Sequence, residues 1–257
     1  MPNARFYHPE KLSPGAIASL TPNAATHASR ALRMQVGDKA ILFNGDGNDY
    51  LCELTLVKKN EVVAKVKSAR AVTSESPLKI TLVQAISSGD RMDFTIQKAV
   101  EMGVTAIQPI ASQRSVVKLS GDRAEKRREH WQNVVISACE QSGRAIIPEV
   151  LPALSLANWL ATLPPPTSQE EGRSEGKNML RLTLSPTANQ TLHDLPNSTA
   201  EICLLIGAEG GLTDDEINLA TTQSFIPIRL GKRILRTETA PLAAIAAIQT
   251  LWGDYNA

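Results

Sequence analysis

The chain has 257 residues, 42% of them hydrophobic and 21% charged, which is the make-up of one or two globular domains able to bury a sizeable core. Its 27 Lys and Arg almost balance its 26 Asp and Glu, so net charge by itself names no polyanionic partner. No apolar run reaches the roughly 18–20 residues of a membrane span, since the longest candidate, Ala243 to Leu251, is interrupted by Gln249; the first residues also lack the basic-then-apolar pattern of a secretory signal.

In chain order, the first third predicts mostly β structure after one helix. Asn23 to Met34 reads as a helix carrying Arg30 and Arg33. Lys39 to Asn44 reads as a strand that stops at the turn-forming Gly45-Asp46-Gly47-Asn48. Tyr50, Cys52, Leu54 and Leu56 alternate with their neighbours as in a half-buried strand. Lys58-Lys59-Asn60-Glu61 turns the chain back into Val62 to Val66. Short strands joined by tight turns suggest a small barrel or curled sheet. Residues 1–70 hold ten Lys and Arg against six Asp and Glu, a surplus that fits either a phosphate-facing surface or an incidental imbalance.

The polar stretch Thr73 to Pro77 reads as a linker, and beyond it the pattern changes. Lys79 to Ile86 is a predicted strand. Asp90 can cap a helix with Met92, Ile96, Ala99 and Val100 on one face and Gly103 at its end. Thr105 to Ile110 is a further strand. A long helix from about Asp122 places Trp131, Val134, Val135, Ala138 and Cys139 on one stripe, and Gly143 stops it. Arg123, Lys126, Arg127 and Arg128 are interleaved with Glu125 and Glu129, the pattern of a solvated helix face. Strands follow near 179–184, 200–206 and 225–230, with helices after the last two, so strand–helix alternation predicts a largely parallel α/β sheet. Pro164 to Lys177 reads as a polar, mobile surface insertion.

Two segments could carry chemistry. In Leu204 to Glu216 an apolar strand runs into Gly207, Gly210 and Gly211 and then a helix, whose start is marked by Thr213 and Glu216 at capping-box spacing. A plain turn between strand and helix explains part of this. Three glycines with an embedded Glu209 exceed what a turn needs and allow a ligand to approach the backbone. The spacing is neither G-x-G-x-x-G nor Walker A: Gly231-Lys232 is followed by Arg233, and position 226 is Ile. Ile228 to Pro241 concentrates Arg229, Lys232, Arg233 and Arg236 with Glu238 between a strand and the last helix. A solvated basic loop and a ligand loop at the carboxyl end of the sheet both account for that placement. No G-x-S-x-G occurs. Cys52, Cys139 and Cys203 are odd in number and far apart, as expected of a reducing cytoplasm. Neither they nor His8, His27, His130 and His193 have metal-ligand spacing, so no metal is expected.

Several blocks together resemble one family. They are Leu32-Arg33-Met34-x-Val36-Gly37-Asp38, Gln84-Ala85-Ile86, Gly89-Asp90-Arg91-Met92-Asp93, Ile96 to Val104, Ser112-x-Arg114-Ser115-Val116-Val117-Lys118 and Glu140-Gln141-Ser142-Gly143-Arg144. The strongest are Ile206-Gly207-Ala208-Glu209-Gly210-Gly211 and Leu230-Gly231-x-Arg233 to Ala240. This set is similar to the bacterial ribosomal RNA small-subunit methyltransferase E (RsmE) family of SPOUT methyltransferases and spans nearly the whole chain. Ala208 stands where the family usually has Pro.

The resemblance implies an α/β protein with a PUA-like RNA-binding β-barrel domain over residues 1–72, a linker at 73–77 and a SPOUT methyltransferase domain over 78–257. That second domain is expected to carry a trefoil knot and a mobile loop at 164–178. It further implies a cytoplasmic homodimer that uses S-adenosyl-L-methionine to methylate N3 of a uridine near the 3′ end of 16S rRNA in the 30S ribosomal subunit. Carried onto this chain, the cofactor-binding residues are Leu184, Ile206, Gly207, Glu209, Gly210, Gly211, Leu230, Gly231, Ile234 and Leu235, with Glu209 or Glu238 near the sulfonium. Arg236 and Glu238 are the expected catalytic pair, and Arg5, Arg30 and Arg33 the expected RNA contacts. A noncatalytic RNA-binding module, or an enzyme acting on a small nucleotide, are the alternatives from other classes.

Overall fold

Alternating apolar and polar residues early in the chain become a five-stranded sheet of β1 (Ala4–Tyr7), β2 (Ile17–Ser19), β3 (Lys39–Phe43), β4 (Asn48–Lys58) and β5 (Glu61–Ala71), ordered β1-β3-β4-β5-β2. The computed structural model describes residues 4–115, 121–165, 179–196 and 200–255. β1 runs parallel to β3, and the remaining pairs are antiparallel, with register shifts in β4–β5 at Leu51/Cys52 and Leu54/Leu56. Bulges of this kind increase local twist and so curl a sheet. Phe6, Leu42, Leu54 and Ala64 are fully buried on its inner face.

The helix expected at Asn23 to Met34 is shorter. Helix α1 (Pro22–Thr26) begins with the Thr21 hydroxyl accepting the Ala24 N–H at 3.3 Å, and a wide turn, His27–Ala31, follows in which the Leu32 N–H reaches back to the His27 carbonyl at 3.0 Å. Arg33 then takes a left-handed conformation (φ 52°), which ends the helix before Met34. Strands β1 and β2, four and three residues long, have no sequence signal strong enough to predict them.

The chain divides into two compact units, Met1–Glu75 with Ile136–Ile147, and Ser76–Val135 with Pro148–Ala257. The return of 136–147 to the first unit lies outside the expected division at 73–77. Its physical basis is a set of polar contacts within that unit: the Tyr7 N–H donates to Glu140 at 3.0 Å, and the buried Arg144 pairs with Glu75 at 2.6 Å. Expected linker residue Glu75 is therefore fixed in place.

In the second unit, β6 (Lys79–Ala85), β7 (Ala106–Ala111), β8 (Glu149–Val150), β9 (Leu154–Ser155), β10 (Met179–Leu184), β11 (Glu201–Ile206) and β12 (Ile226–Ile228) form one parallel sheet ordered β12-β10-β11-β6-β7-β8, with β9 also on β7. Its helices are α2 (Arg91–Glu101), the first part of α3 (Asp122–Ser142), α4 (Leu156–Thr162), α5 (Asp214–Thr222) and α6 (Ala240–Trp252). Asp90 precedes α2 but makes no side-chain capping bond, in contrast to expectation; its backbone is already helical at ψ −4°, so only its carbonyl serves the helix, accepting the Phe94 N–H at 2.9 Å. Continuous apolar runs such as Ile202 to Ile206 are buried, as a sheet covered on both faces requires. Trp131 is core, 1% exposed, with its indole N–H on Asp93 at 3.1 Å. No helix among the described residues is long and apolar enough to cross a membrane. The expected insertion at 164–178 falls almost wholly outside the described residues, as do Val116, Val117 and Lys118.

Candidate functional site

The carboxyl ends of β11 and β12 run into the two segments singled out from sequence, β10 ends at Leu184, which the resemblance implied, and the loops after these three strands surround a cavity of about 340 Å³. That is within the roughly 300–1,000 Å³ of small-molecule sites, at the end of a parallel sheet where ligands bind. All ten residues assigned to a cofactor, from Leu184 to Leu235, line it, together with Arg114, Arg229 and Arg233; among the described residues no lysine does. Ile206 is 2% exposed and forms a wall, whereas Ile234 is 84% exposed at the rim.

The glycine loop is built by close packing of backbone. The Gly211 N–H donates to the Ala208 carbonyl at 2.9 Å, and Gly211 has φ 70°. A Cβ on Gly207 would lie 2.6 Å from the Gly211 carbonyl carbon and 2.7 Å from the Leu212 nitrogen, so the turn closes only over glycine. Ala208 is 4% exposed and belongs to a core cluster with Leu205, Leu212 and Phe225, which holds this position without a proline ring. The turn then enters α5 through the expected capping box, Thr213 to Glu216, whose carboxylate also accepts the Gln113 N–H at 2.7 Å.

Hydrogen bonds at three residues of this turn, Gly207, Glu209 and Gly210, tie it to other segments. The Thr237 hydroxyl donates to the Gly207 carbonyl at 2.9 Å, and the buried Gln84 amide donates to Thr237 at 3.3 Å. Arg114 donates to the Gly210 carbonyl at 2.6 Å, and a Cβ on Gly210 would press 3.0 Å from the Arg114 side chain. Glu209 accepts the Ser88 N–H at 2.9 Å, the Ser88 hydroxyl at 2.8 Å and the Arg91 guanidinium at 3.0 Å. Burial opposes its charge, but the hydrogen bonds from Ser88 and Arg91 outweigh that and hold the carboxyl below its ordinary range. Arg91 also stands 3.9 Å from Glu238. Sequence reasoning assigned no role to Ser88, Arg91, Arg114 or Thr237, although the last three lie in blocks that carried the resemblance and Ser88 directly precedes one.

The expected catalytic pair flanks Thr237. Arg236 is exposed, with no side-chain partner among the described residues, and Glu238 is half-buried; neither belongs to the cavity wall. The expected RNA contacts divide. Arg30 and Arg33 are exposed, Arg30 donating to Asn60 at 3.3 Å. Arg5 differs from them: its guanidinium, 11% exposed, pairs with Asp49 at 2.5 Å, donates to the Arg144 carbonyl at 3.1 Å and lies over the Phe43 ring. Both terminal nitrogens of its guanidinium are thus engaged within the first unit. Among the described residues no group of His, Cys, Asp and Glu could hold a metal ion.

Comparison with known proteins agrees with this geometry. Residues 74–249 match the model of an RNA methyltransferase domain, and residues 20–67 that of an RNA methyltransferase PUA domain. The ribosomal RNA small subunit methyltransferase E of Buchnera aphidicola subsp. Schizaphis graminum is 34% identical over 252 residues, 98% of each chain; that of Bacillus subtilis is 33% identical, covering 90% of this chain and 88% of its own. The crystal structure of a ribosomal RNA small subunit methyltransferase E from Neisseria gonorrhoeae bound to S-adenosyl methionine is 45% identical, with a TM-score of 0.87 over 98% of this chain and 99% of that one. A putative methyltransferase from Legionella pneumophila with the bound cofactor SAM is 38% identical, with a TM-score of 0.89 over 99% of this chain and 100% of that one. With a PUA-like domain ahead of a SPOUT α/β domain, and full-length likeness to these proteins, the chain belongs to the ribosomal RNA small subunit methyltransferase E family.

Proposed function

We propose that this protein uses S-adenosyl-L-methionine to methylate N3 of a uridine near the 3′ end of 16S rRNA, acting as a homodimer on the assembled 30S subunit in the cytoplasm. The observation that carries the reading is the cavity itself, closed by three backbone-rich loops and aliphatic side chains. Those residues fit a nucleoside with a short charged tail: Leu184, Ile206, Leu230 and Leu235 would hold its apolar faces, and backbone groups of 206–211 and 230–235 its polar edges. The absence of a P-loop lysine or dinucleotide fingerprint among these loops suits such a ligand better than ATP or NAD.

When bound, this cofactor supplies an electrophilic methyl group on a sulfonium. The remaining chemistry belongs to the acceptor and the chain. Uridine N3 carries an imide proton on the Watson–Crick edge, so the base must be unpaired or extruded before it can react. Glu238, or a water, accepts that proton, and Arg236 stabilises the negative charge that develops on the uracil oxygens. Glu209 has the closer contact with Arg91, 3.0 Å against 3.9 Å, and also accepts both Ser88 donors, which favours Glu238 as the carboxylate of the reaction. Arg30 and Arg33 are the RNA contacts of the first domain, residues 1–72, and residues 78–257 form the methyltransferase domain.

We place the trefoil knot in the C-terminal part of that domain. Its support is the path of the chain: β12 lies on the far edge beside β10, yet Thr237, in the segment that follows, reaches Gly207 just after β11. Nucleoside mass spectrometry of 16S rRNA from a strain lacking the gene tests the function. N3-methyluridine should disappear and return on complementation; its persistence refutes the substrate assignment.

A further inference from the structure

The block beginning Gly89-Asp90-Arg91 carries part of the family resemblance, yet with the preceding Ser88 it belongs to none of the three cavity loops. It joins β6 to α2, and Arg91 is the first residue of that helix. We propose that Arg91 is a positioning residue that couples the cofactor turn to the catalytic segment. One guanidinium serves carboxylates from two loops: it donates to Glu209 at 3.0 Å and stands 3.9 Å from Glu238. Ser88 completes the junction, giving its N–H and hydroxyl to Glu209 and accepting from Arg91 at 3.3 Å.

The two ends of this link differ in redundancy. The glycine turn is held independently by the Thr237 hydroxyl on Gly207, by Arg114 on Gly210 and by its own Gly211 to Ala208 bond. Losing Arg91 therefore leaves the cofactor turn closed. Glu238 has no such reserve: Arg91 is the only cation paired with it among the described residues. Without Arg91, Glu238 is no longer oriented and two carboxylates share a junction with no cation between them. The expected defect is in turnover rather than in binding. Because its planar fork can address two carboxylates at once, Arg is suited to this position in a way that a point-charge ammonium is not.

The inference rests on the proposed methyl transfer, so the test separates the two. In full-length protein, Arg91→Gln and Arg91→Lys are compared with wild type by calorimetric titration with S-adenosyl-L-methionine and by steady-state methylation of 30S subunits. Arg91→Gln should lower kcat at least tenfold, with the cofactor Kd and the KM for subunits each within threefold of wild type. Arg91→Lys should recover part of kcat. An unchanged kcat overturns the coupling, as does a loss confined to KM for subunits, which would make the half-exposed Arg91 an RNA contact. A wild-type protein that neither binds the cofactor nor methylates refutes the functional reading instead.

Discussion

The hydroxyl of Thr237 lies 2.9 Å from the carbonyl oxygen of Gly207, joining two loops that are 30 residues apart in the chain. Thr237 is 7% exposed, and the second donor near that carbonyl, the Gln84 amide, is 3.5 Å away. Thr237→Val keeps the shape but removes the donor, so a buried carbonyl is left poorly satisfied at a cost of about 1–3 kcal/mol. We expect a lower denaturation midpoint and weaker cofactor binding in calorimetry, with Thr237→Ser restoring both.

Gly207→Ala should be more damaging than Gly211→Ala, for different reasons. The new methyl at 207 meets backbone atoms at 2.6 and 2.7 Å, so the turn itself must open. At 211 nothing lies within 4 Å of the added carbon, and the cost is the left-handed backbone alone, about 1–2 kcal/mol. Calorimetry should find cofactor binding abolished by Gly207→Ala and only weakened by Gly211→Ala.

Arg236→Ala should leave stability within about 0.5 kcal/mol, because the side chain is exposed and unpaired among the described residues. Loss of a charge stabiliser in the transition state costs on the order of 10²-fold in kcat. Cofactor affinity should stay within a few-fold; its loss would reassign Arg236 to structure.

In the first unit the arginines should separate by phenotype. Arg5→Ala strands Asp49, whose side chain is 7% exposed and whose other cation, Arg70, is 78% exposed. Breaking a buried pair in this way costs about 3–5 kcal/mol, visible as a large fall in melting temperature. Replacing Arg30 and Arg33 by Glu should instead leave melting nearly unchanged and weaken RNA binding in a filter or anisotropy assay.

Burial pushes the Cys52, Cys139 and Cys203 thiols from their ordinary 9.0 up to about 11, about 12 and about 12. Folded thiols stay protonated where unfolded ones ionise, so the stability associated with them is complete below pH 9.0 and is lost as pH rises toward 12. Melting temperature should fall through that window, and Cys203→Ala should flatten the slope. Alkylation of native protein at neutral pH should be slow for all three.

What could be read from sequence was local. Ile206 to Gly211 announces a strand, a tight bend and a capped helix within a few residues, and Leu230 to Ala240 concentrates its charges in the same way, so both loops were legible. The residues that brace them were not. Arg91 meets Glu209 across 118 positions and Arg114 meets Gly210 across 96, separations that no periodicity reveals. The contacts of Arg5 were hidden for the same reason: its partners lie 44 and 139 positions away. Strand β2 is three residues long and offers no alternation to detect.

The excursion of residues 136–147 into the first unit has a practical corollary for dissecting the molecule. A gene fragment ending at codon 75 would encode every strand of the N-terminal sheet, yet it would deprive the Tyr7 amide of its acceptor and Glu75 of its guanidinium. Such a piece is not a transplantable module. Recombination, tagging or truncation has to respect a body assembled from two stretches of polypeptide, one of them lying beyond the first strands of the second unit.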